Sequence, residues 1–311
     1  MGDGPSVSDA WTALERTAFL RTRRGLVVRE DRRSDRPASL WTLVHVVWAA
    51  CDVTDAGQMT PLTGLTDLLE RYRRGAGYAP SWRAGRRYFD DDAWLGLASL
   101  RLAAITGAAA HRERAAMVLR FVRTGEDPAG GIRWVEGRST RNACSTASAA
   151  WLALLVDGRG DRAFAGRIVD WLIATLLGPD GLIADRIDRG RIDRSVWSYN
   201  QGATAAALRL LGRGDDAAAI AAASLATFSG ERRWREPPPF LAIWHRALLD
   251  DPTTRSDGLA SVREHVDRMR RDAFDAATGT FTRGGIGTYD GRSTIDHAAS
   301  VQLLAMDASA R

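Results

Sequence analysis

A recurring helical period with almost no strand signal constrains this chain more than any other feature. Apolar residues return at spacings of three and four over residues 92–105, 146–156, 164–177, 202–211, 217–228 and 259–269. That is the pattern of helices that bury one face. Alternating Val-rich runs with hairpin turns are missing, so strands must be few. Gly107, Gly158, Gly178, Gly212 and Gly230 mark helix ends. The helices come in pairs of roughly 45–55 residues, which over 311 residues gives about six hairpins. Six helical hairpins closed into a ring make an (α/α)6 barrel, so the expected fold class is all-α. No Pro/Gly/Ser linker divides the chain. Residues 1–311 therefore read as a single domain, with 1–38 an N-terminal extension and first helix. Residues 230–240, with Pro237, Pro238 and Pro239 in a row, read as a rim loop between hairpins.

Composition narrows the class. Hydrophobic residues make up 45% and charged residues 26%, the balance of a globular rather than a disordered chain. Cys51 and Cys144 are the only cysteines, and His45, His111, His245, His265 and His297 are scattered singly. Neither a disulfide framework nor a zinc-type spacing results. The net charge is +5, and all 43 basic residues are arginine. Lysine-free basicity fits a GC-rich coding bias. The competing reading is a surface suited to an anionic partner, such as a phospholipid-anchored glycan. Residues 1–10 are polar and acidic, without the basic start and apolar run of a signal peptide, and no apolar run approaches membrane-spanning length. These features predict a cytoplasmic monomer, unless a leader has been removed, with no nucleic-acid partner and no stable membrane insertion.

Four segments between helices are rich in glycine, aromatic and polar residues: 88–94, 130–134, 197–202 and 284–289. Loops that keep Trp and Tyr suggest a binding cleft. Aromatic faces stack on the C–H faces of sugar rings, while Asn, Gln and Asp bond their hydroxyls. Glycosidic bonds need two carboxyl groups, one to protonate the leaving oxygen and one to attack the anomeric carbon or activate water. Asp90, Asp91 and Asp92 form the only run of three acids, where a loop becomes the helix starting near Ala93. A helix N-terminus stabilises carboxylates, and crowded like charges raise the proton affinity of at least one. The same position also suits plain N-capping, which favours Asp.

The wider context resembles glycoside hydrolase family 76, the α-1,6-mannanases. Tyr88-Phe89-Asp90-Asp91-Asp92-Ala93-Trp94 looks like the family's aromatic-Asp-Asp-x-Ala-Trp signature. In the family's order follow Gly130-Gly131-Ile132-Arg133-Trp134, Arg141-Asn142-Ala143, Gly181-Leu182-Ile183-Ala184-Asp185 and Trp197-Ser198-Tyr199-Asn200-Gln201-Gly202, the last being the most specific. The segment from Phe240 to Arg246 resembles a Phe-Lys-Gly-Ile-Phe-x-Arg stretch. The resemblance spans about residues 40 to 305. The chain departs from the pattern at Leu241-Ala242, where the family has Lys-Gly, at Arg141, where it has Lys, and at Trp41-Thr42, where it has an aromatic pair. These departures bear on chain length and branch tolerance.

The resemblance implies an (α/α)6 barrel and retaining endo-hydrolysis of α-1,6-mannan. Asp90 is then the nucleophile and Asp91 the general acid/base, with carboxylates about 5–5.5 Å apart. Trp41, Asp92, Trp134, Asn142, Asp185, Trp197, Tyr199, Asn200 and Gln201 are the expected substrate-binding residues. Trp94 is expected to pack beneath the site, Cys144 to be a small buried residue, and His297 to act locally as a cap. The carboxylate pair suffices, so no metal or cofactor is expected. The partner is a mannan-type glycan, of which an actinobacterial lipomannan, lipoarabinomannan or phosphatidylinositol mannoside backbone is one form. Two other classes compete. A sugar isomerase or epimerase on the same barrel would need a histidine pair, which the scattered histidines do not offer. A glycan-binding protein that has lost turnover would not need Asp90 and Asp91 intact.

Overall fold

Two kinds of helix alternate along the chain, and their side chains say which kind is inside. The computed structural model describes residues 4–83, 85–281 and 293–309. It begins with α1 (Val7–Ala18), β1 (Phe19–Thr22), β2 (Gly25–Asp31), β3 (Ser34–Pro37), α2 (Leu40–Asp55) and α3 (Leu62–Glu70). Then come β4 (Arg73–Arg74), β5 (Gly77–Tyr78), α4 (Phe89–Thr106), α5 (Ala109–Arg123), β6 (Arg141–Asn142), α6 (Ala143–Val156) and α7 (Asp161–Leu176). The second half holds β7 (Arg186–Asp188), β8 (Arg191–Asp193), α8 (Ser198–Leu210), α9 (Gly214–Thr227), α10 (Gly230–Arg235), α11 (Pro238–Asp250) and α12 (Arg255–Asp272). It closes with β9 (Phe274–Asp275), β10 (Thr280–Phe281) and α13 (Thr294–Ala308).

α2, α4, α6, α8, α11 and α13 bury side chains on all sides, as a helix enclosed by others must. Each packs on the next, and α13 returns to α2, so the six close into a ring. α3, α5, α7, α9, α12 and α1 lie outside, α1 against α13 and α2. The architecture is an (α/α)6 barrel, as expected from the sequence. Small residues let the inner helices approach. A Cβ on Gly96 of α4 would lie 2.5 Å from Leu152 Cδ2 of α6, so nothing larger than glycine fits without a shift.

The helix boundaries differ from expectation in one consistent way. α4, α6, α7, α8, α9 and α12 all begin three or four residues before the apolar period does. Asp90 and Asp91 thus lie inside the first turn of α4 rather than in a loop, and Tyr199, Asn200 and Gln201 inside α8. Those first turns carry polar side chains that an apolar period cannot register. The expected rim loop at 230–240 is instead α10 followed by the start of α11, whose Pro238 sits where a missing N–H costs nothing. Within 1–38, α1 is followed by an antiparallel sheet in the order β1-β2-β3. Its outer strands hold no buried residue, so no apolar alternation marks them. The Gly-rich segment 284–289 lies outside the described residues. Among the described residues no helix is long and apolar enough to cross a membrane.

Candidate active site

The N-termini of the inner helices open on one end of the barrel. Ser39 and Trp41 come from the start of α2, Asp90 and Asp91 from α4, Asn142 and Cys144 from α6, and Trp197 and Tyr199 from α8. With Phe240 of α11 these side chains line one cleft of about 610 Å³. Sequence-distant motifs meet because each sits at the same end of an inner helix.

Short strands hold the walls. β7 pairs with β6 and β8, placing Asn142 opposite Arg186, and the Ala143 N–H donates to the Asp185 carbonyl at 2.8 Å. Trp134 is fixed through its backbone: its carbonyl accepts from Phe89 N–H at 2.9 Å, and its N–H donates to Thr140 at 2.8 Å. The turn before it needs Gly130 and Gly131, which have φ of 89° and 74°. A Cβ on either would meet the Trp171 ring at 2.3 Å.

An aromatic wall runs through Trp41, Trp94 and Tyr199 to Phe240. Tyr199 and Phe240 are stacked with centroids 4.0 Å apart, and Trp197 meets the Phe240 edge at 5.7 Å. Trp134 and Tyr88 form the facing edge, 5.1 Å apart. Such a surface offers ring faces to C–H groups while its rim of Asp, Asn and Arg offers hydrogen bonds.

Asp90 and Asp91 stand at the cleft floor in different surroundings. Asp90 Oδ2 accepts from Trp134 Nε1–H at 3.1 Å and from Cys144 Sγ–H at 3.3 Å, while its Oδ1 is buried without a hydrogen-bond partner. Burial pushes the Asp90 carboxyl up to about 6, with the Cys144 and Trp134 bonds opposing that rise. Asp91 is held well above the usual carboxylate range, first by burial, then by the charges of Asp90 and Glu30. Glu30, on β2, accepts from Ser39 N–H, from Ser39 Oγ at 3.2 Å and from Thr42 Oγ1 at 3.0 Å. Both carboxyls are thus raised, and the charge of Asp90 adds to the proton affinity of Asp91.

Of the residues expected to bind substrate, Trp41, Trp134, Asn142, Asp185, Trp197 and Tyr199 line the cleft. Asp92, Asn200 and Gln201 do not, and the expectation of direct substrate contact is corrected for them. Each is fully buried. Adjacent helix positions point in different directions, so a run of polar residues cannot all face one cleft. Asp92 Oδ1 accepts from Tyr78 N–H at 2.8 Å. The Gln201 amide bonds both backbone groups of Ile183 at 2.8 and 2.9 Å and the Trp197 carbonyl at 3.0 Å. The Asn200 amide lies beside Asp185. Asp92 and Gln201 brace the wall from behind.

Other placements refine the sequence reading. Cys144 is buried, as expected, but also bonds Asp90. Trp94 is only 1% exposed, yet it contributes to the cleft floor. Leu241 and Ala242, the departure from the family pattern, are buried away from the cleft lining. Arg141 braces the glycine turn by donating to the Ala129 and Gly130 carbonyls, both at 3.0 Å. His297 is buried in α13 against the Ala10 backbone rather than capping its helix. Glu30, Tyr88, Pro80, Arg186 and Phe240 went unassigned from sequence. Tyr88 and Phe240 carried a signal, each as the start of a family-like segment. Among the described residues no histidine lines the cleft, and no group of His, Cys, Asp and Glu could hold a metal ion.

Residues 34–235 match the model of Glycosyl hydrolase family 76. No curated protein matches the chain. Among solved structures, a family 76 α-mannanase from Bacteroides thetaiotaomicron superposes with a TM-score of 0.84 at 16% identity, covering 98% of this chain and 94% of that one. The family 76 α-1,6-mannanase of Salegentibacter sp. HEL1_6 gives 0.79 at 21% identity, covering 98% of both chains. An inactive variant of that enzyme, with two consecutive aspartates replaced by asparagine, is known in complex with α-1,6-mannotriose, and matches at 0.79 and 20% identity over 98% of both chains. At such identities the likeness establishes the fold.

Proposed function

The chain belongs to Glycosyl hydrolase family 76, and from that membership and the cleft geometry we infer that it is a retaining endo-α-1,6-mannanase. The observation that carries this reading is the unequal setting of Asp90 and Asp91. A retaining glycosidase needs one carboxylate ionised and its neighbour protonated at the same pH. Asp90, near 6 and bonded on one oxygen by Trp134 and Cys144, suits the ionised nucleophile. Asp91, held well above its ordinary value by burial and by the charges of Asp90 and Glu30, suits the acid. The paired aspartates replaced in the inactive Salegentibacter variant support the same assignment.

In the first step the Asp90 carboxylate attacks the anomeric carbon. Asp91 gives its proton to the glycosidic oxygen as that bond breaks, and the shortened chain leaves as an alcohol. In the second step Asp91, now ionised, takes a proton from water, whose oxygen attacks the same carbon and displaces Asp90. Two inversions give net retention. The aromatic wall seats the sugar rings, and Asn142, Asp185 and Arg186 offer polar contacts to hydroxyls. For the natural glycan the proposal extends to lipid-anchored α-1,6-mannan backbones of the lipomannan type, supported by the net positive, lysine-free composition. The test is release of reducing ends from unbranched α-1,6-mannan by the wild-type protein and its loss in Asp90→Asn and Asp91→Asn, with helical circular dichroism unchanged. Full activity in either variant would overturn the assignment.

A further inference from the structure

A second cavity adjoins the cleft, on the side formed by the N-terminal sheet. It measures about 500 Å³ and lies between the β2–β3 hairpin and the segment 80–83, within the range of about 300–1,000 Å³ usual for small-molecule sites. Ser39 and Pro80 stand in the walls of both cavities. The saddle between them is pinned: Leu40 N–H donates to the Pro80 carbonyl at 3.0 Å, and the Glu30 carboxylate holds Ser39 from the other side. Trp82 lines the cavity. Its ring is fixed by the Arg71 guanidinium, 4.0 Å from the ring centroid, and its carbonyl accepts from Arg74 at 2.5 Å.

We propose that this cavity is a further sugar subsite, one that takes a hexopyranosyl unit of the same glycan whose bond is cleaved at Asp90 and Asp91; it rests on the hydrolase reading above. Two observations fix the ligand class. The lining joins an indole to both carboxylates and guanidinium groups, so it can meet the C–H face of a sugar and also accept from and donate to its hydroxyls. Its charges cancel, with Glu30 and Asp35 against Arg36 and Arg83, which disfavours an isolated phosphate or carboxylate. Because Ser39 and Pro80 wall both cavities, the occupant lies next to a chain in the cleft and is read as part of it.

A subsite away from the scissile bond contributes only when the substrate is long or branched enough to reach it. The experiment compares kcat/KM of wild type, Trp82→Ala and Trp82→Phe on unbranched α-1,6-manno-oligosaccharides of increasing length and on branched mannan. Trp82→Ala is expected to lose about tenfold on the longest or the branched substrates and nothing on the shortest one cleaved, with Trp82→Phe recovering most of the loss. An equal loss at every length, or no loss at any, would overturn the proposal. Should Trp82→Ala lower the melting temperature, Arg36→Ala combined with Arg83→Ala, at two exposed side chains, is read in the same way. Calorimetric titration of the same glycans into wild type and Trp82→Ala separates this question from catalysis. If the wild type cleaves nothing, the hydrolase reading fails, and weaker binding of only the long or branched glycans to the variant still supports the subsite. Equal binding to both proteins overturns it.

Discussion

Cys144 places its sulfur 3.3 Å from Oδ2 of Asp90, the same oxygen that receives the Trp134 indole N–H at 3.1 Å. Both donors come from outside α4, so the orientation of this carboxylate is set by two other parts of the ring. With Oδ2 held by both donors and Oδ1 buried, the carboxylate is fixed in one orientation in the cleft floor.

Removing the thiol should leave Asp90 more basic and less well oriented. Cys144→Ala is expected to lower kcat/KM by about 2- to 5-fold, the worth of one weak net hydrogen bond, and to shift the acid limb of its pH profile upward. Cys144→Ser, which restores a donor, should recover the profile. An unchanged acid limb in Cys144→Ala would show that the thiol only fills space.

The pH profile itself should be bell-shaped. As pH rises through about 6, Asp90 loses its proton and becomes the nucleophile, so activity rises. At higher pH, Asp91 loses its proton in turn and activity falls. Measured kcat/KM from pH 4 to 10 checks this. A profile flat across the region near 6 would contradict the role given to Asp90.

The same shift has a consequence for stability. Asp90 is raised from 3.8 in the ordinary state to about 6 in the fold. Between those values the folded protein binds more protons than the unfolded chain, so stability falls as pH rises through that window. Asp90→Asn removes the buried charge. It should raise the melting temperature at pH 7.5, and the gain over wild type should shrink towards pH 4. Calorimetric melting at the two pH values reads the difference.

Gly96 tests the close approach of α4 and α6. A Cβ there would meet Leu152 Cδ2 at 2.5 Å and Cδ1 at 2.8 Å. Gly96→Ala is expected to cost about 1–3 kcal/mol in urea unfolding, the usual range for overpacking. Adding Leu152→Ala should relieve the overlap, so the two substitutions together should cost less than the sum of each alone.

The ring of helices was legible because burial repeats with the helical period, and outer helices such as α12 show it plainly. The first turns were not legible. Asp90, Asp91, Tyr199 and Asn200 are polar or amphipathic, and helix N-termini that open on a cleft carry no apolar stripe. Motif resemblance identified Asp90, Asp91, Trp134 and Trp197, which line the cleft. It could not separate Tyr199 from Asn200 and Gln201, because facing direction changes from one residue to the next while a motif is read as a block. Glu30 was invisible for a different reason: it reaches the neighbourhood of Asp91 from β2, about sixty positions away, and only the fold brings it there.

The most direct test of the central claim is to follow the first products from unbranched α-1,6-manno-oligosaccharides by NMR. Two successive displacements at Asp90 predict that the newly released reducing ends appear first as α-anomers and then equilibrate. First-formed β-anomers would contradict a covalent role for Asp90 and leave it as a base that activates water.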